Sequence, residues 1–397
     1  MFKPKSSLIK ELNLRGYIHQ CTNIEKLDNI AAKKKLVAYI GFDCTAESLH
    51  VGSLIQLMLV RILQKTGHQV IVLLGEGTSK IGDPSGKDKS RQLLNDKQIK
   101  TNSQNIKKNI EKFTVKSVDF KKVKFLDNSL WLNNINYIDF LRTYGKNVSV
   151  NKMLTMDSVN ERLKREQPLS FLEFNYMIIQ AYDFVQLNNR ENCEIQFGGS
   201  DQWGNITAGV DLVRRINKKE VFGLTTPLIT TSSGDKMGKT SKGAVWLSEK
   251  LLSSNGYWQF WRNVDDKDVI KFLKLFTDLK IEDINSLKNK TANDINNNKK
   301  ILADETTKLC HGKNLADNFS IKKSDLIKGL EAYKLVSINK KIIQSNSEAR
   351  RLIRGGAVKI NSKQIKDELK IISEKDCQNN EMKISIGKKN HFTIKII

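Results

Sequence analysis

A short apolar run that ends in a polar turn and passes into a helix constrains this chain more than any other feature. Residues 36–42 read LVAYIGF, a run of the kind that forms a buried parallel strand. A polar connection from Asp43 to Ser48 follows, and then apolar residues recur at Ile55, Leu59, Ile62 and Leu63, the spacing of one helical face. A second buried-type run, Gln69 to Gly75, closes a strand–helix–strand unit. Such units build parallel sheets, because a right-handed crossover helix packs back onto the strands it joins. The predicted fold class is therefore α/β.

The turn between strand and helix carries chemistry. His50, Gly52 and Ser53 fall where the helix starts. Backbone N–H groups are unpaired there and the macrodipole is positive, so a phosphate is favoured. On this context alone an ordinary surface helix start fits the same residues equally well. A second segment, Thr230 to Lys242 (TTSSGDKMGKTSK), places Lys236 and Lys239 on a loop with Gly234 and Gly238. Two ammonium groups on a pliable loop suit the transient charge of a pentavalent phosphate and its departing pyrophosphate. Alone it is also an ordinary basic loop. Taken together, the two segments suit a chain that holds ATP by its phosphates and cleaves it between the alpha and beta groups.

These residues resemble the two signature motifs of class I aminoacyl-tRNA synthetases, standing here as His50-Val51-Gly52-Ser53 and Lys236-Met237-Gly238-Lys239-Thr240. Between them IGDPSG (Ile81 to Gly86), FNYMIIQAYDF (Phe174 to Phe184) and FGGSDQWGNITAG (Phe197 to Gly209) are similar to the bacterial tyrosyl-tRNA synthetases. The resemblance runs from about Leu12 to the C-terminus. It implies a Rossmann-like catalytic domain over 1–244, a helical anticodon-side domain over 245–325 and a small α+β RNA-binding domain over 333–397.

What the resemblance implies can be carried over residue by residue. Tyrosine would be told from phenylalanine by Tyr39 and Asp183, buried polar partners for a hydroxyl that are left unpaired when phenylalanine enters. Asp83, Tyr176 and Gln180 would receive the substrate ammonium, and Gln202 would lie near its carboxylate. Tyr176, Gln180 and Asp183 are spaced to share one helical face. Gly41, Asp43, Thr45, His50, Gly52, Ser53, Gly199, Asp201, Lys236 and Lys239 would form the ATP site. Asp201 would take the ribose, and Thr45, His50 and the two lysines the phosphates. Asn128 and Trp131 match supporting positions. ATP is expected as substrate with magnesium bound to it, and no metal held by the protein. Tyr39 and Asp183 argue against a tryptophanyl enzyme. The basic C-terminal module argues against a non-tRNA adenylyltransferase, and the presence of both signatures against a non-catalytic RNA-binding relative.

Two departures from the family pattern stand beside the ATP site. Ser53 occupies the place of a second histidine, and Cys44 a place where proline is common, which implies a less rigid turn.

Charge fits a polyphosphate partner. Lys and Arg number 67 against 43 Asp and Glu, a formal net charge of +24, although a lysine-rich background explains part of it. Residues 333–397 alone hold 15 Lys and Arg against 6 Asp and Glu. There Ser345 and Glu348 form a plausible capping box leading a helix with Arg350, Arg351 and Arg354. Gly355-Gly356 ends it, and Asn361-Ser362 turns one short strand into another. This stretch resembles an RNA-binding domain shared with a ribosomal small-subunit protein, which implies tRNA(Tyr) as partner and the three arginines as contacts. The segment from Trp131 to Met153 resembles the family's subunit interface, so a homodimer is expected. The five cysteines show no metal spacing, the first residues lack a signal-peptide core, and no apolar run reaches membrane length. A cytoplasmic enzyme with reduced thiols is expected.

Overall fold

The computed structural model describes residues 2–85, 94–232, 234, 237–240, 243–287, 291–312, 319–339, 342–378, 381–387 and 390–396. The chain forms two compact units, Met1–Ser248 with Ile270–Ser286, and Glu249–Val269 with Leu287–Ile397.

The first unit is built on a six-stranded sheet: β1 (Gln20–Cys21), β2 (Val37–Asp43), β3 (Gln69–Gly75), β4 (Lys124–Asp127), β5 (Ile195–Gly199) and β6 (Phe222–Thr226). Their order across the sheet is β1-β6-β5-β2-β3-β4. All neighbours pair in parallel except β1, which runs antiparallel to β6. The chain winds outward one way from β2 through β3 to β4 and the other way from β5 to β6. A switch point therefore opens between β2 and β5, the place where parallel sheets of this type bind ligands. β2 begins one residue later than its apolar run, and β3 coincides with the expected Gln69–Gly75. After β2 the chain makes a single 3-10 turn, Val51–Ser53, before the helix Leu54–Lys65. That helix buries far more than the predicted stripe: Leu54, Leu57, Met58 and Val60 are covered as well, so neighbours surround it on most sides.

The helix Phe171–Glu191 positions more of the central cavity than any other. Ser170 caps it, accepting from the Glu173 N–H at 3.2 Å while the Glu173 carboxylate accepts from the Ser170 N–H at 3.2 Å. The same carboxylate pairs with Arg162 at 3.1 Å, both side chains nearly inaccessible to water. Asn192 in the left-handed region ends the helix.

In the second unit the helices Ser254–Arg262 and Ala292–His311 pack together, with Trp258 Nε1 donating to Asp304 at 2.7 Å. Residues 320–396 include a five-stranded sheet in the order 363–365, 358–360, 381–386, 390–396, 320–321. It is antiparallel except for its last pair. Its own core includes Leu335, Ala349, Ile353, Val358, Ile384 and Ile394. The helix Asn346–Arg354 is capped by Ser345, whose hydroxyl accepts from the Glu348 N–H at 3.1 Å. The expected reciprocal bond lands one residue earlier, with Glu348 accepting from the Gln344 N–H at 2.8 Å. Asn361 and Ser362 both have positive φ (47° and 68°), the geometry that lets a two-residue turn match the twist of its hairpin.

The Arg162–Glu173 pair yields a stability prediction. Glu173→Ala should leave a buried guanidinium without its carboxylate and remove the reciprocal half of the capping box, destabilising the first unit by about 3 kcal/mol or more. Urea unfolding checks this, and a loss below about 1 kcal/mol would show that the pair behaves as an exposed one.

Candidate functional site

A cavity of about 360 Å³ opens at the carboxyl ends of β2 and β5. It is lined by Tyr39, Gly41, Asp43, Thr45, His50, Gly52, Ser53, Asp83, Tyr176, Gln180, Asp183, Gly199, Asp201 and Gln202. Every residue expected to meet tyrosine or ATP is thus brought to one place, apart from the two lysines. Lys236 lies outside the described residues, as does Gly86 of the IGDPSG motif. Lys239 is described in its backbone only, where it pairs with Ala244 in a small hairpin of β7 (Lys239–Thr240) and β8 (Gly243–Ala244).

One end of the cavity is lined by two buried polar groups, Asp183 and the Tyr39 hydroxyl. Asp183 is buried on the helix Phe171–Glu191, and its carboxylate accepts from Trp131 Nε1 at 2.7 Å and from Asn128 Nδ2 at 3.0 Å. Burial pushes its pKa up to about 7, against the lowering effect of those two bonds and with help from the nearby Asp43 and Asp127 charges. Tyr39 packs its ring on Phe184 with centroids 5.3 Å apart, and its hydroxyl is buried with no hydrogen-bond partner. Burial, and next the Asp183 carboxylate, hold that phenol well above its ordinary pKa, so it stays protonated and able to donate. Asn128 and Trp131 thereby gain a definite job: they aim the carboxylate.

A polar network runs along the cavity wall. The Tyr176 hydroxyl donates to Asp43 Oδ2 at 2.9 Å, and Thr78 Oγ1 donates to Asp43 Oδ1 at 2.8 Å. Gln202 Nε2 donates to Asp83 Oδ2 at 2.7 Å. Asn205 Nδ2 bridges Gln180 Oε1 at 3.0 Å and Gln202 Oε1 at 3.1 Å. The helical face that Tyr176 and Asp183 share points into the protein, since both are buried. Sequence reading missed three participants: Thr78, Asn205 and Gln196. Thr78 follows the end of β3, and Asn205 stands one helical turn after Gln202. Gln196 is a lone glutamine in an otherwise apolar strand, and its buried Oε1 lacks a partner at the cavity floor.

At the other end, His50 caps the 3-10 turn, its Nδ1 accepting from the Gly52 N–H at 2.9 Å. An Nδ1 that accepts places the ring proton on Nε2, which becomes a donor. Ser53 lines the cavity without capping the helix that follows. The Cys44 departure has a structural reason. Its backbone N–H donates to Ser79 Oγ at 2.6 Å, a bond that a proline, having no N–H, does not make. The turn is held by that bond, where sequence alone implied a looser one.

The three arginines of the second unit differ from one another. Arg350 lies over the Tyr333 ring, 4.1 Å from its centroid. Arg354 pairs with Glu368, and Arg351 is exposed. No disulfide joins the five cysteines. Among the described residues no group of three or more His, Cys, Asp or Glu is placed to hold a metal, and no helix is long and apolar enough to cross a membrane.

Asp183 gives a pH prediction. Its folded pKa lies above its unfolded value, so its contribution to stability is full below the unfolded pKa and is lost as pH rises through about 7. Asp183→Asn removes that titration, so the ligand-free variant should gain on the parent by about 1–4 kcal/mol between pH 5 and pH 8. Denaturant unfolding at both pH values tests this; a gap independent of pH would mean that the carboxylate ionises without penalty.

Known proteins bear directly on this geometry. The family model for class I tRNA synthetases of the tryptophan and tyrosine group matches residues 31–326. The chain is 50% identical to a tyrosine–tRNA ligase of Pelagibacter ubique, over 99% of this chain and 100% of the relative. It is 49% identical to one of Rickettsia typhi, over 98% and 100%. Among solved structures, a C-terminally truncated mitochondrial tyrosyl-tRNA synthetase of Aspergillus nidulans superposes with a TM-score of 0.69 at 30% identity, covering 77% of this chain and 90% of that one. A tyrosyl-tRNA synthetase of Archaeoglobus fulgidus, at 15% identity, shares the fold with a TM-score of 0.57 over 77% of this chain and 100% of that one. With the switch-point cavity, both signature segments and these matches in agreement, the chain belongs to the class I tRNA synthetases, in the group of the tryptophan and tyrosine enzymes.

Proposed function

We propose that this chain is a tyrosine–tRNA ligase, which activates L-tyrosine with ATP and passes it to the 3′ end of tRNA(Tyr). The observation that carries the choice of amino acid is the buried Tyr39 hydroxyl without a partner, facing the same cavity as the Asp183 carboxylate. A phenol satisfies both, one as acceptor and one as donor, whereas phenylalanine leaves the Tyr39 hydroxyl buried and unpaired and gives the Asp183 carboxylate no donor beyond Asn128 and Trp131. An indole has no hydroxyl to offer them.

In this reading Asp83, Tyr176 and Gln180 receive the substrate ammonium, and Gln202 lies beside its carboxylate. The carboxylate oxygen attacks the alpha-phosphorus of magnesium-ATP, the metal arriving as part of the substrate. One P–O bond forms, the bond between the alpha and beta phosphates breaks, and pyrophosphate leaves. Gly199 and Asp201 hold the adenosine. Gly41, Asp43, Gly52 and Ser53 line the nucleotide path, while Thr45, His50, Lys236 and Lys239 stabilise the charge as it spreads. A hydroxyl of the terminal tRNA adenosine then attacks the acyl carbon, and AMP departs.

The division into a catalytic part to 244, a helical part over 245–325 and an RNA-binding part from 333 belongs to the same reading, as does action in the cytoplasm. A homodimer is supported by exposed apolar side chains clustered in one stretch, among them Leu130, Tyr137, Ile138, Leu141 and Val150. For the basic module, the differing settings of the arginines rank their roles. Exposed Arg351 meets a tRNA phosphate directly, while Arg350 is committed to Tyr333 and Arg354 is partly neutralised by Glu368.

Pyrophosphate exchange with each of the twenty amino acids tests the assignment. Tyrosine should drive it, phenylalanine should be nearly silent, and Tyr39→Phe should narrow the gap by roughly 0.5–1.5 kcal/mol, the scale of one neutral hydrogen bond. Equal exchange with tyrosine and phenylalanine in the parent would sink the reading. For the module, Arg351→Ala in the full chain should weaken tRNA binding and flatten its log–log salt dependence by about one unit. Arg354→Ala should flatten it less. An unchanged slope for both variants would remove the helix Asn346–Arg354 from the tRNA contact.

A further inference from the structure

The two signature segments are joined by backbone. Residues 49–51 and 245–247 run antiparallel: the Val51 N–H donates to the Val245 carbonyl at 2.9 Å, and the Leu247 N–H donates to the Leu49 carbonyl at 2.9 Å. His50 and Trp246 face each other across this bridge. Their rings meet nearly edge-on, with centroids 6.2 Å apart and planes at 70°, within the range of favourable aromatic contact. The lysine loop arrives at the same spot from its other side. The Val245 N–H donates to the Gly238 carbonyl at 3.1 Å, and a Cβ on Gly238 would stand 2.9 Å from His50 Nδ1. With φ at +119° as well, Gly238 suits glycine on two counts.

Two of the contacts on His50 bear on its ring. The Gly52 N–H holds Nδ1 and with it the tautomer, and a hydrogen bond along the ring edge restrains tilt less than a contact on a second side does. The indole of half-buried Trp246 supplies a second contact from another direction. We propose that Trp246 is a positioning residue for His50, orienting the imidazole so that its Nε2–H points at the phosphates during tyrosine activation. This rests on the reading of His50 as a phosphate contact. It assigns a role to a residue at the exit of the lysine loop, outside the signature itself.

The test combines single variants with a change of background. Trp246→Ala should slow tyrosine activation roughly ten- to hundredfold, the scale on which a misplaced group costs rate. Tyrosine affinity measured without ATP should not change, and Trp246→Phe should recover most of the rate by restoring an aromatic edge. In a His50→Ala background Trp246→Ala should have no further effect, because the group it positions is gone. An equal loss in both backgrounds, or a parallel loss of tyrosine affinity, would show a structural role for Trp246 and overturn the proposal. If His50→Ala alone activated tyrosine at the parent rate, the reading of His50 would fail, and the proposal with it.

Discussion

Everything in the first unit depends on the parallel pairing of β2 with β5, where Ala38, Tyr39 and Ile40 lie against Ile195, Gln196 and Phe197. The two strands are far apart in sequence and are the points from which the chain winds in opposite directions. Their adjacency leaves the carboxyl ends without a covering crossover, so a crevice opens there. The pairing also sets Tyr39 and Gln196 side by side, two buried polar atoms without partners at the floor of that crevice. A core of this kind carries a cost in stability that a packed apolar pair would avoid, and a ligand with matching polar groups offsets it.

The cavity is a case of low dielectric put to use. Asp183 is raised to about 7 by burial, yet two donors aimed at it make ionisation attainable. Those donors come from the segment after β4 while the carboxylate comes from a long helix, so the angle between the elements sets the geometry of the pocket. The buried Arg162–Glu173 pair and the capping box at the start of that helix are consistent with this need. They secure the entry of the one element that carries Tyr176, Gln180 and Asp183 together. In the second unit a small apolar core carries a basic helix and a tight hairpin, so its charged side chains are displayed on a rigid frame.

The sequence by itself determined what depends on neighbours a few residues away. The strand–helix–strand unit, the shared helical face of Tyr176, Gln180 and Asp183, the Ser345 cap and the Asn361-Ser362 turn are all local consequences of backbone geometry and side-chain periodicity. The cavity-lining residues were legible too, because their motifs resemble a known family and each motif sits at a strand end or helix start.

Only the tertiary structure decided which groups meet across long separations. Asn128 and Trp131 aim Asp183, Asn205 ties Gln180 to Gln202, Cys44 is held through Ser79, and Trp246 stands against His50. Apart from Gln202 and Asn205, which stand one helical turn apart, these pairs have no characteristic spacing, since each joins elements brought together by sheet order and helix packing. Even the helix Leu54–Lys65 shows the limit: its apolar stripe was readable, but how many sides are covered depends on everything that folds around it. Periodicity reports one face of one element; contact between faces is settled by the whole chain.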